Sequence, residues 1–398
     1  MSSLGISSMS EDPFGKWWPC LRKHYKRTHS WLPRAKALSQ TINGRPFRYF
    51  TLCGRPMVDI YLLVKEKILE FDGVTRRIEG VTFCESAESV YPEVKELVGV
   101  EEAGFFGGLE DIVLFEDAQA THTLDTETAI EELLAKEGEG LDPDIRAKIN
   151  EKLRHLQFRS LFPFDFLNLD FCDSYYYDPS EPPNVMRIHD TIDRLLEWQR
   201  RPAKNQAGQD FSIQKFVLAI TCRVDLTTPA DAIQRLKRIL NNNRIEFAEY
   251  ERALADRFTT DLDGWAISDP LDFFMSSWPK EIAKLARDKS WNIKIHDHAF
   301  YDRQNENGVP YTMVCLVVEF TQAPICQTYL PAVLNCLDVN SRLSIPRFEF
   351  DQGEGITLLA DLKAIVDLRN EQAKHFEREL LPDPLTEIQR LRSEGVPI

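Results

Sequence analysis

Two carboxylates and a thiol close one apolar stretch of the sequence. The segment 162–173 reads FPFDFLNLDFCD and ends with Asp170, Cys172 and Asp173. Carboxylates can transfer protons and thiolates can attack electrophilic carbon. An apolar run with polar residues at its carboxyl tip is typical of a strand buried on both faces of a parallel sheet. Because ligands bind beyond the carboxyl ends of such strands, this tip is the first candidate site.

Three further cysteines follow other apolar runs. Cys53, Cys84 and Cys222 lie near the carboxyl ends of predicted strands, so several thiols could face one crevice. Their spacing fits no known pattern of metal ligands, and the eight cysteines include no CxxC pair. This argues against a zinc ribbon or a disulfide scaffold. We therefore expect reduced thiols.

Strand and helix patterns alternate along most of the chain. Runs rich in β-forming residues predict strands at 48–52, 81–84, 111–115, 164–171 and 211–222, with helical spacing of apolar residues between them. Strand-helix-strand units of this kind pair in parallel. Two later runs, 291–301 and 311–320, are joined by a polar turn with no room for a helix. The sequence therefore predicts an α/β fold, with a mostly parallel sheet closed by an antiparallel hairpin.

Charge divides the chain unevenly. Residues 1–50 hold nine Lys or Arg against Glu11 and Asp12, a net charge of +7, which leaves −22 for the rest of a chain whose net charge is −15. We therefore divide the sequence into four parts. These are a basic N-terminal arm (1–47), an α/β domain (48–325), an acidic helical insert within it (118–160) and a C-terminal helical extension (326–398).

The basic arm has two interpretations. Aromatic residues lie among its cations, so the arm could follow a nucleic-acid backbone and stack on bases. Alternatively, it packs back on the acidic body or on a partner.

Nothing in the sequence points to a membrane. No run of eighteen apolar residues occurs, and the first twenty residues lack the pattern of a secretory signal. Hydrophobic residues make up 43% of the chain, enough for a buried core. We therefore expect a cytoplasmic globular protein.

The order of the elements over residues 48–322 resembles that of the class I, Rossmann-like methyltransferases, which use S-adenosylmethionine. The resemblance implies that the cofactor lies over the carboxyl ends of the first strands. In that family a glycine-rich loop follows the first strand; Cys53 and Gly54 occupy its place here, with one glycine and no acid. The acid that holds the ribose hydroxyls would be Glu85. The acid near the adenine would be Asp117 or Glu116.

The tips of the fourth and fifth predicted strands, LDFCDS and AITCRVD, are similar to those of RNA cytosine-5 methyltransferases. This resemblance implies that Cys222 is the nucleophile, Cys172 the thiol that releases the product and Asp170 the acid partner. Phe171 stands where that family has proline. Amino-group methyltransferases fit less well, because the prolines that follow their fourth-strand acid are missing here. The alternative is that both cysteines are ordinary core residues.

Two metal sites are conceivable from residue types alone. Asp170, Asp173 and Asp225 could hold the magnesium ion of a nuclease, and His296 and His298 alternate on one predicted strand. However, no Glu-x-Lys pair on a strand supports a nuclease, and two histidines do not complete a site. Phosphate-loop, GxSxG, HExxH and GxGxxG motifs are absent from the sequence. We therefore predict no resident metal.

Three functions from different classes fit these observations. The first is an S-adenosylmethionine-dependent methyltransferase that acts on nucleic acid. The second is a methyltransferase-fold subunit without catalysis, serving a bacterial assembly for RNA modification or anti-phage defence through its arm, its insert and a C-terminal helix that binds a protein partner or a second copy. The third is a nucleic-acid-binding or nucleic-acid-cleaving component. Pro56, which removes a backbone donor from the cofactor loop, favours the second over the first.

Overall fold

A computed structural model places the described residues in an α/β fold around a seven-stranded sheet. It describes residues 21–54, 56–99, 104–115, 130, 142–175, 187–204, 210–224, 230–246, 248, 251–252, 261–268, 270–304, 310–322, 352–373 and 383–393. The strands of the large sheet are β1 (Tyr49–Leu52), β4 (Val81–Glu85), β5 (Gly104–Phe106), β6 (Phe166–Ser174), β9 (Lys215–Val224), β10 (Trp291–Gln304) and β11 (Pro310–Gln322). Two small hairpins pair β2 (Phe71–Asp72) with β3 (Arg77–Ile78) and β7 (Ala203–Lys204) with β8 (Asp210–Phe211).

Five neighbouring strands of the large sheet are parallel and lie in the order β5-β4-β1-β6-β9. The order reverses at β1: the chain builds outward through β4 and β5, then returns to place β6 on the other side of β1. β11 pairs antiparallel with β9, and β10 pairs antiparallel with β11. The predicted α/β class, the mostly parallel sheet and the closing hairpin are confirmed.

The third strand of the sheet differs from the prediction. The run 111–115 is not a strand, because helix α5 (Leu109–Val113) includes most of it. The third strand is β5, which pairs with β4. Ile112 and Val113 are buried, as their apolar character requires. A short apolar run fits a buried helix as well as a buried strand, and the prediction chose the wrong one.

Helices cover both faces of the large sheet. They are α1 (Leu21–Lys26), α2 (Leu32–Ser39), α3 (Val58–Lys65), α4 (Tyr91–Val98), α5, α6 (Pro143–Ser160), α7 (Arg187–Trp198), α8 (Ala230–Glu246), α9 (Leu262–Ser268), α10 (Pro270–Asp288), α11 (Gln352–Gln372) and α12 (Pro384–Ser393). A π-helical turn, Arg27–Trp31, joins α1 to α2. None of the described helices has the length and apolar content needed to cross a lipid bilayer.

Side chains alternate along the strands and so build two separate cores. Tyr49 and Phe166 belong to the core beneath the arm, α3, α4 and α11, which we call the arm face. Phe50 and Leu167, one residue later on the same strands, belong to the core beneath α5 to α10, which we call the far face. Two residues on neighbouring strands can therefore share a strand end and still lie on opposite sides of the sheet.

The described part of the arm packs on the acidic body. The indole of Trp31 lies against the rings of Tyr49 and Phe166, at centroid distances of 6.5 and 5.4 Å. Lys26 Nζ donates to Asp297 Oδ2 at 2.9 Å. Further pairs with body carboxylates are Lys23–Asp170, His24–Asp361, Lys36–Glu66 and Arg45–Asp165. Of the two interpretations of the arm, its described residues follow the one in which it packs on the body.

The C-terminal helix α11 is part of the arm face. Leu362 and Ile365 are buried there, and the hydroxyl of Tyr61 in α3 donates to Gln372 Oε1 at 2.9 Å. Arg369 is fully buried and pairs with Glu93 of α4. A protein partner could not contact these residues unless the helix first left the body.

Candidate functional site

The carboxyl ends of β1 and β6 flank the point at which the strand order reverses, which in open α/β sheets is the place for a ligand. After β1 the chain turns sharply into α3, and the N–H of Met57 donates to the carbonyl of Gly54 at 2.9 Å. Met57 has a φ of 51°, a left-handed conformation that is uncommon for a residue other than glycine. Backbone strain of this kind clusters at functional sites.

Cys53 and Gly54, the predicted cofactor loop, begin this turn. The N–H of Cys53 donates to the carbonyl of Cys84 at 3.1 Å, which ties the tip of β1 to β4. Burial, with smaller contributions from the charges of Asp59 and Glu85, raises the pKa of the Cys53 thiol well above its usual value. Gly54 is exposed, and a Cβ at this position would meet nothing closer than Pro56 Cδ at 3.8 Å. Close approach of a ligand is therefore possible at Gly54, whereas Cys53 offers only a neutral thiol.

A buried carboxylate, Asp59, links α3 to two strands beneath the turn. Its Oδ2 accepts hydrogen bonds from the hydroxyls of Tyr49 at 2.7 Å and Thr51 at 2.5 Å. Asn168 of β6 donates to the same oxygen at 3.1 Å. Three donors from β1 and β6 thus compensate the burial of one acid. The cluster fixes α3 against the strands that flank the reversal point.

Glu85 lies at the tip of β4, as the resemblance requires of the ribose-binding acid. It is half-buried, and burial raises the pKa of its carboxyl group. One oxygen accepts the N–H of Ala87 at 2.7 Å, and no described side chain donates to this carboxylate. Glu85 therefore has lone pairs available for hydroxyl groups of a ligand.

Asp170 lies on β6 with its carboxylate paired to Lys23 of the arm. Both side chains are about four-fifths buried, with exposed fractions of 20% for Lys23 and 18% for Asp170. Asp170 continues the alternation of Phe166 and Asn168, which places it on the arm face. The predicted fourth-strand acid is thus covered by the arm.

Cys222 lies on the opposite side of the sheet from Asp170. It is fully buried in the far-face core, as Cys84 is. Burial, with a smaller contribution from the neighbouring Cys315, raises the pKa of the Cys222 thiol well above its usual value. The structure therefore does not bring Cys222 and Asp170 together, and it gives Cys222 the environment of a core residue. Cys53 and Cys84 likewise belong to different faces, so these thiols do not share one crevice.

Several predicted residues cannot be compared with the structure. Cys172 and Asp173 are part of β6, but their side chains lie outside the described part of the chain. Asp117 and Asp225 lie outside the described residues altogether. Among the side chains that the structure describes, no group of His, Cys, Asp and Glu could hold a metal ion.

Sequence reasoning missed the Asp59 cluster. The usable signal was a single acid among apolar residues at the start of α3, in the segment VDIYLLV. A single acid among apolar residues usually marks the solvent-exposed face of an amphipathic helix. Its partners Thr51 and Asn168 stood inside predicted strands, where nothing distinguished them from other strand residues.

His298, one of the two histidines considered for a metal, is a buried neutral residue. It is fully buried and neither ring nitrogen has a hydrogen-bond partner. Burial lowers its pKa from 6.5 to about 4, opposed by the charge of Asp297. His296 instead contacts Glu319, with Nε2 and Oε2 3.3 Å apart.

The low pKa of His298 predicts that acid weakens the fold. The unfolded chain protonates this imidazole near pH 6.5 and the folded chain only near pH 4, so the unfolded state binds the extra proton in between. Stability that is present above pH 6.5 should fall by about 2 kcal/mol at pH 5. Urea unfolding at several pH values measures this loss of stability. His298→Leu should make the free energy of unfolding less dependent on pH. Exposed His29→Gln serves as the control, and an unchanged slope in His298→Leu would contradict the assignment.

No protein-family model, no curated protein and no solved structure matches this chain. The resemblance to methyltransferases therefore stays a prediction from the sequence.

Proposed function

We propose that this chain binds S-adenosylmethionine over the carboxyl ends of β1 and β4, as a protein of Rossmann-like, methyltransferase-like fold. Glu85 carries the proposal. It lies at the tip of the second strand, half-buried, with no described side chain donating to it. The two ribose hydroxyls of the cofactor can each donate a hydrogen bond to a carboxylate in this position.

The topology of the sheet supports the same proposal. Numbered along the chain, the parallel strands lie in the order 3-2-1-4-5, the order of the first five strands in the dinucleotide-binding sheets. The antiparallel hairpin β10-β11 then closes the sheet at the fifth strand, β9. This is the element order on which the resemblance to methyltransferases was based.

Methyl transfer would require an acceptor at Asp170. S-adenosylmethionine would supply an electrophilic methyl group there, and the Asp170 carboxylate could take the proton that the acceptor gives up. Lys23 pairs with Asp170 in the structure, so an acceptor has to displace the arm before it reaches this acid. Nucleic acid as the acceptor stays a prediction, since three arm cations that could contact its backbone, Lys23, Lys26 and Arg45, are paired with body carboxylates.

The second candidate is a methyltransferase-fold subunit without catalysis that serves as a binding or scaffold component of a larger assembly. The Lys23–Asp170 pair favours it, because the acid that catalysis would use already has a cationic partner. The thiol of Cys222 is buried on the opposite face of the sheet from Asp170, which argues against the cytosine-5 mechanism. Transfer of a radiolabelled methyl group from the cofactor to total RNA distinguishes the two candidates.

Isothermal titration with S-adenosylmethionine tests the proposal directly. Glu85→Gln should weaken binding about tenfold, or about 1.4 kcal/mol, because an amide can accept only one of the two ribose hydroxyls well. Glu79→Gln is the matched control, since Glu79 is exposed near the opposite end of the same strand. Equal affinities of the two variants would exclude Glu85 as the ribose ligand. No binding by the folded wild-type chain would exclude the cofactor itself.

A further inference from the structure

One buried cation of the arm has no counter-ion. Arg27 begins the π-helical turn between α1 and α2 and is only 9% exposed. Its Nη1 atom is buried without a hydrogen bond, and no carboxylate among the described residues pairs with its guanidinium. Lys26, the preceding residue, and Arg45 each have an aspartate partner. Arg27 is thus an exception among the buried cations of the arm.

An unpaired buried guanidinium calls for a partner. Arginine keeps its positive charge in proteins. Removing a charge from water is costly unless an opposite charge or several hydrogen bonds replace the water. The π-helical turn that carries Arg27 is a rare element, and such turns are frequent at functional sites. These observations together indicate a partner that is not part of the described protein.

Arg27 lies about one helical turn after Lys23, whose partner Asp170 is two residues beyond Asn168, the residue of β6 that pairs with Thr51 near the tip of β1. The positive charge of Arg27 acts to lower the pKa of the Cys53 thiol and of the His24 imidazole. Burial nevertheless raises the pKa of Cys53 well above its usual value, so this thiol is neutral and cannot be the counter-ion. Cys53 immediately precedes Gly54, the exposed glycine of the candidate cofactor loop.

Two buried or half-buried carboxylates of the same region already have other partners, and no described contact joins the third, Glu85, to Arg27. Asp59 accepts from Tyr49, Thr51 and Asn168. Asp361 of α11 accepts from His24 and Lys65. Since no described carboxylate pairs with Arg27, a bound molecule with a negative group could balance its charge.

We propose that Arg27 binds the oxyanion of a small-molecule ligand, a carboxylate or a phosphate group, at the carboxyl end of β1. The guanidinium fork matches both groups with two parallel hydrogen bonds. Helix α3 begins five residues after Cys53, and the backbone N–H groups of its first turn lack acceptors within the helix. The site does not depend on the identity of the cofactor proposed above.

Thermal melting of the full chain in sodium phosphate, against sodium chloride at equal ionic strength, tests the site. Phosphate should raise the melting temperature of the wild-type chain in a concentration-dependent way. Arg27→Met should melt no lower than wild type in chloride, since it removes an uncompensated charge, and should lose the phosphate effect. Arg27→Gln, which keeps polar donors without the charge, should bind phosphate about tenfold or more weakly. Arg34→Met is the control, because Arg34 is a half-buried arginine further along the arm.

Two cofactor probes identify the source of the oxyanion. If the ligand's carboxylate binds Arg27, wild type will bind S-adenosylmethionine more tightly than its decarboxylated analogue, and Arg27→Met will bind both equally. If phosphate binds in an Arg27-dependent way but S-adenosylmethionine does not bind, the anion site stands and the proposed function fails. Stabilisation of Arg27→Met by phosphate to the wild-type extent would overturn the anion site. So would a wild-type chain that responds to none of the three probes.

Discussion

Replacing Asp165 by alanine is expected to lower the free energy of unfolding by about 3–5 kcal/mol, because it leaves buried cationic groups without their counter-charge. Asp165 is 1% exposed. Its two oxygens accept from Arg45 Nη2 and Nη1, each at 2.6 Å, and one also accepts the N–H of Arg48 at 2.8 Å. The pair joins the end of the arm to the segment that enters β6. Urea unfolding, followed by circular dichroism, measures the loss.

An exposed ion pair provides the matched control for Asp165. Asp111 pairs with Arg187 while 59% exposed, so Asp111→Ala should change stability by about 1 kcal/mol or less. The double variant Arg45→Met with Asp165→Leu should recover much of the loss, since well-packed apolar residues often replace a buried ion pair at little cost. A loss of under 1 kcal/mol in Asp165→Ala would mean that solvent already reaches this pair.

Phe158→Ala is expected to cost about 3–5 kcal/mol, because it opens a cavity among aromatic side chains. Phe158 is fully buried, and its ring centroid lies 5.1 to 5.4 Å from those of Phe50, Phe105 and Phe162. It attaches helix α6, which is largely exposed, to the far face of the sheet. Urea unfolding measures the effect, and removal of α6 from the sheet should also show as faster proteolysis within that helix.

The same helix supplies the control for Phe158. Ile145 lies more than three helical turns from Phe158 and is 39% exposed. Ile145→Ala should therefore change the free energy of unfolding by no more than about 0.5 kcal/mol. Phe158→Leu should cost less than half as much as Phe158→Ala, since it keeps much of the buried volume. Similar small losses in all three variants would show that α6 contributes little to the stability of the fold.

Most of the sheet was predictable from the sequence because strands that are buried on both faces have to be apolar. Parallel strands buried on both faces need continuous apolar runs, and β6 and β9 show them clearly. The antiparallel pairing of β10 and β11 followed from a turn too short for a helix. β5 was not predictable, because its three residues, GFF, are too few to show a period.

The candidate site was only partly predictable. Glu85 was found because the tip of a strand is visible in the sequence. Asp170 and Cys222 lie on opposite faces of the sheet because of the exact register between β6 and β9. A shift of one residue in that register would move every side chain of a strand to the other face. The burial of Arg27 had no signal at all, because an arginine in a basic arm reads as a solvated charge. Only the packing of the arm on the sheet shows that Arg27 is buried without a counter-ion.

The contacts of the arm also set an order of events during synthesis. The arm leaves the ribosome before the body, yet Lys26 pairs with Asp297, 271 residues later, and His24 pairs with Asp361, 337 residues later. At about 5–20 residues per second, Lys26 waits roughly 15–50 s for its partner to be made. Throughout that interval Trp31 lacks its covering and Lys26 lacks its carboxylate partner. The arm is therefore translated before the strands and helices on which it docks, and a chain that stops before β10 cannot complete the arm face.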